Sequence, residues 1–144
     1  MKKMPSCFER LSETVYSTQN PIVGISRSEI DFLREVAENS SLRKARVLLH
    51  GSTDKDLHEM LIVHSFEQYI QPHINNNSTK SFLVLDGAMV VVLFSDEGAV
   101  SSHVRLGRFE KGSIFMLRID KPVFHTVVPI SNTVTFLETA KGPH

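Results

Sequence analysis

PHINNNSTKSFLVLDG, Pro72 to Gly87, places a histidine, an asparagine two residues on and a lysine seven on ahead of an apolar run that closes on Asp86-Gly87. Side chains two apart on a strand share a face. Lys80, Phe82 and Val84 therefore point one way, and His73 and Asn75 point together if their segment is extended. A later stretch, PVFHTV from Pro122 to Val127, puts His125 and Val127 on one strand face. In a small barrel such inward faces converge on one cavity, where a polar residue needs a partner or a ligand to offset its desolvation.

The surrounding chain fits an all-β domain. Short strands are expected at Ala45–His50, Met60–Phe66, Ser81–Leu85, Ala88–Phe94, Val100–Leu106, Ser113–Leu117, His125–Val128 and Val134–Leu137. Turn signals separate them at Asp86-Gly87, Ser95 to Gly98, Glu110 to Gly112 and Ser131-Asn132. Strands at this spacing predict an antiparallel sandwich or small barrel. Ahead of them, Ser26 to Asn39 reads as a helix. Ser26 and Glu29 fit a capping box, and Ile30, Leu33, Val36 and Ala37 fall on one face. Phe8, Leu11, Val15 and Tyr16 fit a short amphipathic turn or a strand equally well. The expected organisation is residues 1–41 as an extension packed on a barrel of residues 42–144, with an irregular tail from Lys141.

Composition narrows the function classes. A chain of 144 residues buries roughly 70% of its unfolded surface and needs no staples. Sixteen basic side chains balance sixteen acidic ones, so no charge excess points to nucleic acid or a membrane surface. The longest apolar run, Ala88 to Phe94, is strand-length and far short of the ~20 residues of a membrane span. Lys2 and Lys3 are not followed by an apolar segment, so no secretory signal is read. Cys7 is the one cysteine, which argues for a reducing compartment; a cytoplasmic location is expected. Among the remaining histidines, His58 and His103 lie in polar surroundings and are expected at the surface. His64 shares parity with Ile62 and Phe66, as a wall residue or a ligand, and His144 is terminal.

These residues resemble the cupin superfamily, and more closely the WbuC family of cupin proteins of O-antigen biosynthesis clusters. The matching segments are RKARVLLHGS, EMLIVHSFEQYIQPH, KSFLVLDGAMVVVLFSDEGAV, FHTVV and the terminal FLETAKGP, together covering Arg43 to Pro143. The resemblance implies a cupin-type conical antiparallel β-barrel (jelly roll) whose pocket usually holds a divalent metal such as zinc, iron, manganese or nickel. His73 and His125 match metal-ligand positions, and His50 matches a histidine that could also reach the pocket. Asn75 replaces a histidine and Lys80 replaces a glutamate, while Asp120 and Pro122 stand where the second motif has proline and glycine. Asparagine is a weak neutral donor and an ammonium repels a dication by roughly 4 kcal/mol at 4 Å and effective dielectric 20.

Two readings stay open. His50, His73 and His125, with Asn75 nearby, hold a metal while Lys80 turns away; or Lys80 takes over the charge role and faces an anion. The resemblance implies a small-molecule pocket in surface-polysaccharide sugar metabolism, binding or isomerising a sugar-type or anionic ligand. His73 or His125 would serve as base and Lys80 as oxyanion stabiliser. A non-catalytic ligand-binding or regulatory cupin is the alternative, and a metal-dependent dioxygenase ranks last because the carboxylate is missing. Free sheet edges make a homodimer the expected assembly.

Overall fold

The computed structural model describes residues 1–74 and 79–143. Two short strands, β1 (Glu9–Arg10) and β2 (Val15–Ser17), precede helix α1 (Arg27–Asn39). Eight strands follow: β3 (Lys44–Leu48), β4 (Leu57–Ser65), β5 (Thr79–Asp86), β6 (Ala88–Phe94), β7 (Val100–Gly107), β8 (Met116–Asp120), β9 (His125–Pro129) and β10 (Thr133–Lys141). The larger sheet runs β1-β2-β3-β4-β10-β5-β8 and the smaller β7-β6-β9. Every pairing is antiparallel except β2 with β3. The ambiguous segment around Val15 is thus a strand, recruited by the edge of β3.

Strand alternation divides the apolar residues between two cores. On the inner face Ile62, Phe82, Val84, Val134 and Phe136 of the larger sheet meet Met89, Val91, Leu106 and Val127 of the smaller one. On the outer face Ala45, Val47, Leu61 and Val63 meet Phe32, Leu33, Val36 and Ala37 of α1. Phe8, Tyr16 and Phe32 close this second core, with ring centroids 5.3–6.2 Å apart in tilted and edge-on contacts. The helix begins as expected. The Ser26 hydroxyl accepts from the Ser28 amide, and the Ser26 amide donates to Glu29 Oε2 at 2.6 Å. Between β5 and β6, Gly87 has φ +79°, and a Cβ there would collide with the Thr133 carbonyl oxygen, so the turn requires glycine.

The largest shifts from the sequence reading lie in three strands, and two of them, β4 and β10, bear on the cavity. β4 begins at Leu57, three residues before Met60, because Leu57 to Glu59 pair with Thr139 to Lys141. β10 runs on to Lys141 and so absorbs part of the expected tail. β8 starts at Met116 rather than Ser113, where its ladder to Leu83 begins. Among the described residues no helix is long and apolar enough to cross a membrane.

Candidate functional site

A cavity of about 770 Å³ opens along the inner face of β3, β4, β10 and β5, with β9 across from it. His73, Lys80, His125 and Glu138 stand at one part of its wall. His73 precedes β5 and faces β9 through an isolated antiparallel bridge. Its amide donates to the His125 carbonyl at 3.0 Å, and the His125 amide donates to the His73 carbonyl at 2.9 Å. Directly opposed residues share a face, and the two imidazole centroids lie 4.5 Å apart. His125 is buried, whereas His73 is exposed at the cavity mouth.

Lys80 stands at the centre of the group. Buried Lys80, Phe82 and Val84 follow the alternation of β5. Lys80 Nζ lies 2.9 Å from Glu138 Oε1 and 3.3 Å from His125 Nε2, and 5.8 Å from the Phe82 ring centroid. An ammonium only donates, so His125 Nε2 accepts from it. The other ring nitrogen, Nδ1, then carries the proton and donates to the Val123 carbonyl at 2.9 Å. The result is a neutral His125 in a defined tautomer. Burial is the largest cause of its lowered pKa. The Val123 carbonyl works against this, the charges of Lys80 and His73 add to the lowering, and Glu138 opposes it. His73 Nδ1 lies 3.2 Å from the Gln71 carbonyl, which leaves Nε2 as that ring's acceptor.

Glu138 is the residue the sequence reading missed. Its place on β10, in register with Phe82 and Met60, turns it to the inner face. One of the two open readings had Lys80 facing an anion and the other had it turned away from a metal; in the structure it faces inward and Glu138 neutralises it. Only the extension of β10 past Leu137 makes that pairing visible. His50 stands apart from the cavity wall. Its Nδ1 lies 3.1 Å from both the amide nitrogen and the carbonyl oxygen of Glu59, and its ring stacks on His58 at 4.0 Å. Asn75 lies outside the described residues. His58, expected at the surface, is 2% exposed and forms part of the cavity wall. The early start of β4 puts it on the inner face with Met60, Ile62 and His64, and its Nε2 lies 3.1 Å from the Thr53 carbonyl. His103 is exposed as expected.

The donor set does not fit a divalent cation. The nitrogen of His125 that would bind one accepts from an ammonium, and the nearby carboxylate of Glu138 is held by the same ammonium. A dication would have to displace a permanent positive charge from both donors. Among the described residues no three histidine, cysteine or acidic side chains are placed to hold a metal.

Two facing sheets with this strand order, enclosing a cavity that opens between them, define a cupin-fold protein. Solved structures agree. An RmlC-like cupin with a double-stranded β-helix fold from Methanocaldococcus jannaschii is similar at TM-score 0.53 and 17% identity, over 74% of this chain and 85% of that one. Oxalate oxidase in complex with the substrate analogue glycolate is similar at TM-score 0.57 and 11% identity, over 74% of this chain and 55% of that one. Oxalate decarboxylase of Bacillus subtilis, a protein with Mn(II) centers, is similar at TM-score 0.51 and 16% identity, over 62% of this chain and 22% of its own length. The chain thus spans about half of the oxidase and about a fifth of the decarboxylase. Within the fold, the chain belongs to the family described as Domain of unknown function (DUF6016), which matches residues 25–106. No curated protein matches it.

Farther along the cavity, His64 is 4% exposed and packs edge-on against Phe136 at 5.2 Å. Burial, joined by the charges of Lys44 and Arg46, lowers its pKa from 6.5 to about 3. Neutral His64 therefore contributes stability that is complete above pH 6.5 and is lost as pH falls from 6.5 toward 3. The slope from this group is ~1.4 kcal/mol per pH unit. Urea unfolding across that window should show a shallower acid slope for His64→Leu than for the parent chain. An identical slope would mean that His64 is not buried in its neutral form.

Proposed function

We propose that this chain is a ligand-binding cupin of the WbuC type, whose cavity takes a small sugar-type ligand of surface-polysaccharide metabolism. The single observation that carries the reading is the Glu138–Lys80–His125 chain at the cavity wall. It offers a carboxylate acceptor, an ammonium with a proton to spare and, beside them, the exposed His73. Hydroxyl and carbonyl groups of a sugar match that mixture, and the buried ion pair holds the donors rigidly in place. The same reading takes residues 1–41 as an extension on the 42–144 barrel, and a cytoplasmic homodimer as the working assembly.

Calorimetric titration with free and nucleotide-linked hexoses tests it. One of these should bind, and Lys80→Met or His125→Ala should weaken it by about tenfold or more, since a hydrogen bond to a charged group contributes ~1.5–3 kcal/mol. Equal affinity in all three proteins would remove these residues from the site.

A second reading, sugar isomerisation or epimerisation, is favoured by one feature. His73 keeps Nε2 as an acceptor at the mouth while the Lys80 ammonium lies behind the neighbouring histidine, a base and an oxyanion stabiliser on one wall. The non-catalytic alternative is favoured by another: Lys80 occupies the lone pair that His125 would need to act as a base. Incorporation of solvent deuterium beside the carbonyl of a bound sugar separates the two. Catalysis yields the isomer or epimer, with solvent deuterium where the proton exchanges, and simple binding produces neither.

A further inference from the structure

The far end of the cavity is built differently. Lys44 and Arg46 alternate on β3 with Ala45 and Val47, whose side chains are buried against α1. Their register partners on β4 are His64 and Ile62, so both cations project on the cavity side and form part of its wall. Both are exposed, and no carboxylate among the described residues pairs with either. β3 is also not a free edge that charges would protect from aggregation, since β2 covers it from Arg46 to Leu48.

His64, directly opposite Lys44, supplies an independent observation. Its Nδ1 is sealed from solvent with no hydrogen-bond partner. A buried polar atom without a partner is uncommon and costly. The tautomer with the sealed Nδ1 as a bare lone pair costs least, because an orphaned N–H is the rarer defect. It leaves Nε2–H as a donor on a ring that forms part of the cavity wall. Two cations without acidic partners among the described residues and one imidazole donor then line the same end of the cavity.

We propose that Lys44, Arg46 and His64 form an anion subsite that takes the phosphoryl groups of a nucleotide-linked sugar. The subsite rests on the ligand-binding reading above and names the substrate class for it. The Arg46 guanidinium supplies a planar fork for two phosphoryl oxygens, Lys44 a point charge, and His64 a third donor. Two permanent positive charges match the two negative charges of a diphosphate bridge. Lys80 is level with His58, through Ala140, and Lys44 is level with His64. Six residues of β4 separate the two levels, roughly 20 Å at ~3.4 Å per residue. A ligand that uses both ends therefore lies extended along the wall.

Calorimetric titration of the parent chain, the Lys44→Met/Arg46→Met variant and Lys80→Met tests this, with inorganic diphosphate, UDP-glucose and glucose as probes. Diphosphate should bind the parent and Lys80→Met alike, and bind the double variant about tenfold or more weakly. UDP-glucose should be weakened by both sets of changes. The two substituted cations are exposed, and circular dichroism will confirm that the variant folds. Diphosphate that binds the double variant as tightly as the parent, or does not bind the parent, would overturn the proposal. If diphosphate behaves as expected but Lys80→Met leaves UDP-glucose binding unchanged, the anion subsite stands and the sugar-binding role of Lys80 fails instead.

Discussion

A Lys80→Glu variant is expected to bind zinc with micromolar affinity where the parent chain does not. The change removes the ammonium that lies 3.3 Å from His125 Nε2 and 2.9 Å from Glu138 Oε1. It frees both donors and adds a second carboxylate beside them, with His73 at a ring separation of 4.5 Å. Two histidines and two carboxylates satisfy the donor number that zinc takes in proteins. Without metal the two carboxylates repel each other, so the apo variant should be less stable than the parent. Zinc at a hundredfold excess over its Kd should return ~2.7 kcal/mol through binding linkage. Lys80→Met is the control: it leaves Glu138 without a counter-charge and supplies no new ligand. Its cost should fall at the lower end of the ~3–5 kcal/mol typical of a broken buried pair, because the Glu138 side chain remains 14% exposed. Zinc titration and metal content decide the outcome. If Lys80→Glu takes up no more zinc than the parent, the ammonium is not what keeps a dication out.

Leu33→Ala should destabilise the fold by ~2–5 kcal/mol, a large part of the stability of a domain this size. Leu33 is fully buried in the outer core, where α1 lies on Ala45, Val47, Leu61 and Val63. Alanine is the better helix former, so helix propensity does not contribute to the loss and the whole effect reads packing. Urea unfolding followed by circular dichroism measures it. A loss below about 1 kcal/mol would mean that the helix rests on the sheet without sharing its core.

The positions most legible in the sequence were those where alternation and turn chemistry agree. Lys80, Phe82 and Val84 face inward as their spacing requires, and Ser26 with Glu29 starts the helix. His73 meets His125 because each occupies an extended segment that forms a bridge with the other. Polar residues at strand ends were not legible. Glu138, Thr139 and Lys141 break the apolar pattern of β10, so the strand was expected to stop at Leu137, and the partner of Lys80 was lost with its last turn of alternation. His58 was misplaced for the same reason at the start of β4, where Leu57 to Glu59 read as a loop. Each of these segments is held as strand by the other across the sheet, a long-range pairing with no local signature. Lys44 and Arg46 were hidden differently: on a half-buried strand, cations facing a cavity have the same spacing as cations facing solvent.

The ammonium of Lys80, paired with Glu138, gives this cavity wall a cation that is encoded by the chain itself. A metal centre acquires its charge from its surroundings, so its occupancy follows metal supply and competing chelators, and one ion can be exchanged for another. Here the charge arrives with translation, in one copy per chain, and no chelator can remove it. The trade is in chemistry: a lysine can hold, orient and protonate, but it does not itself change oxidation state.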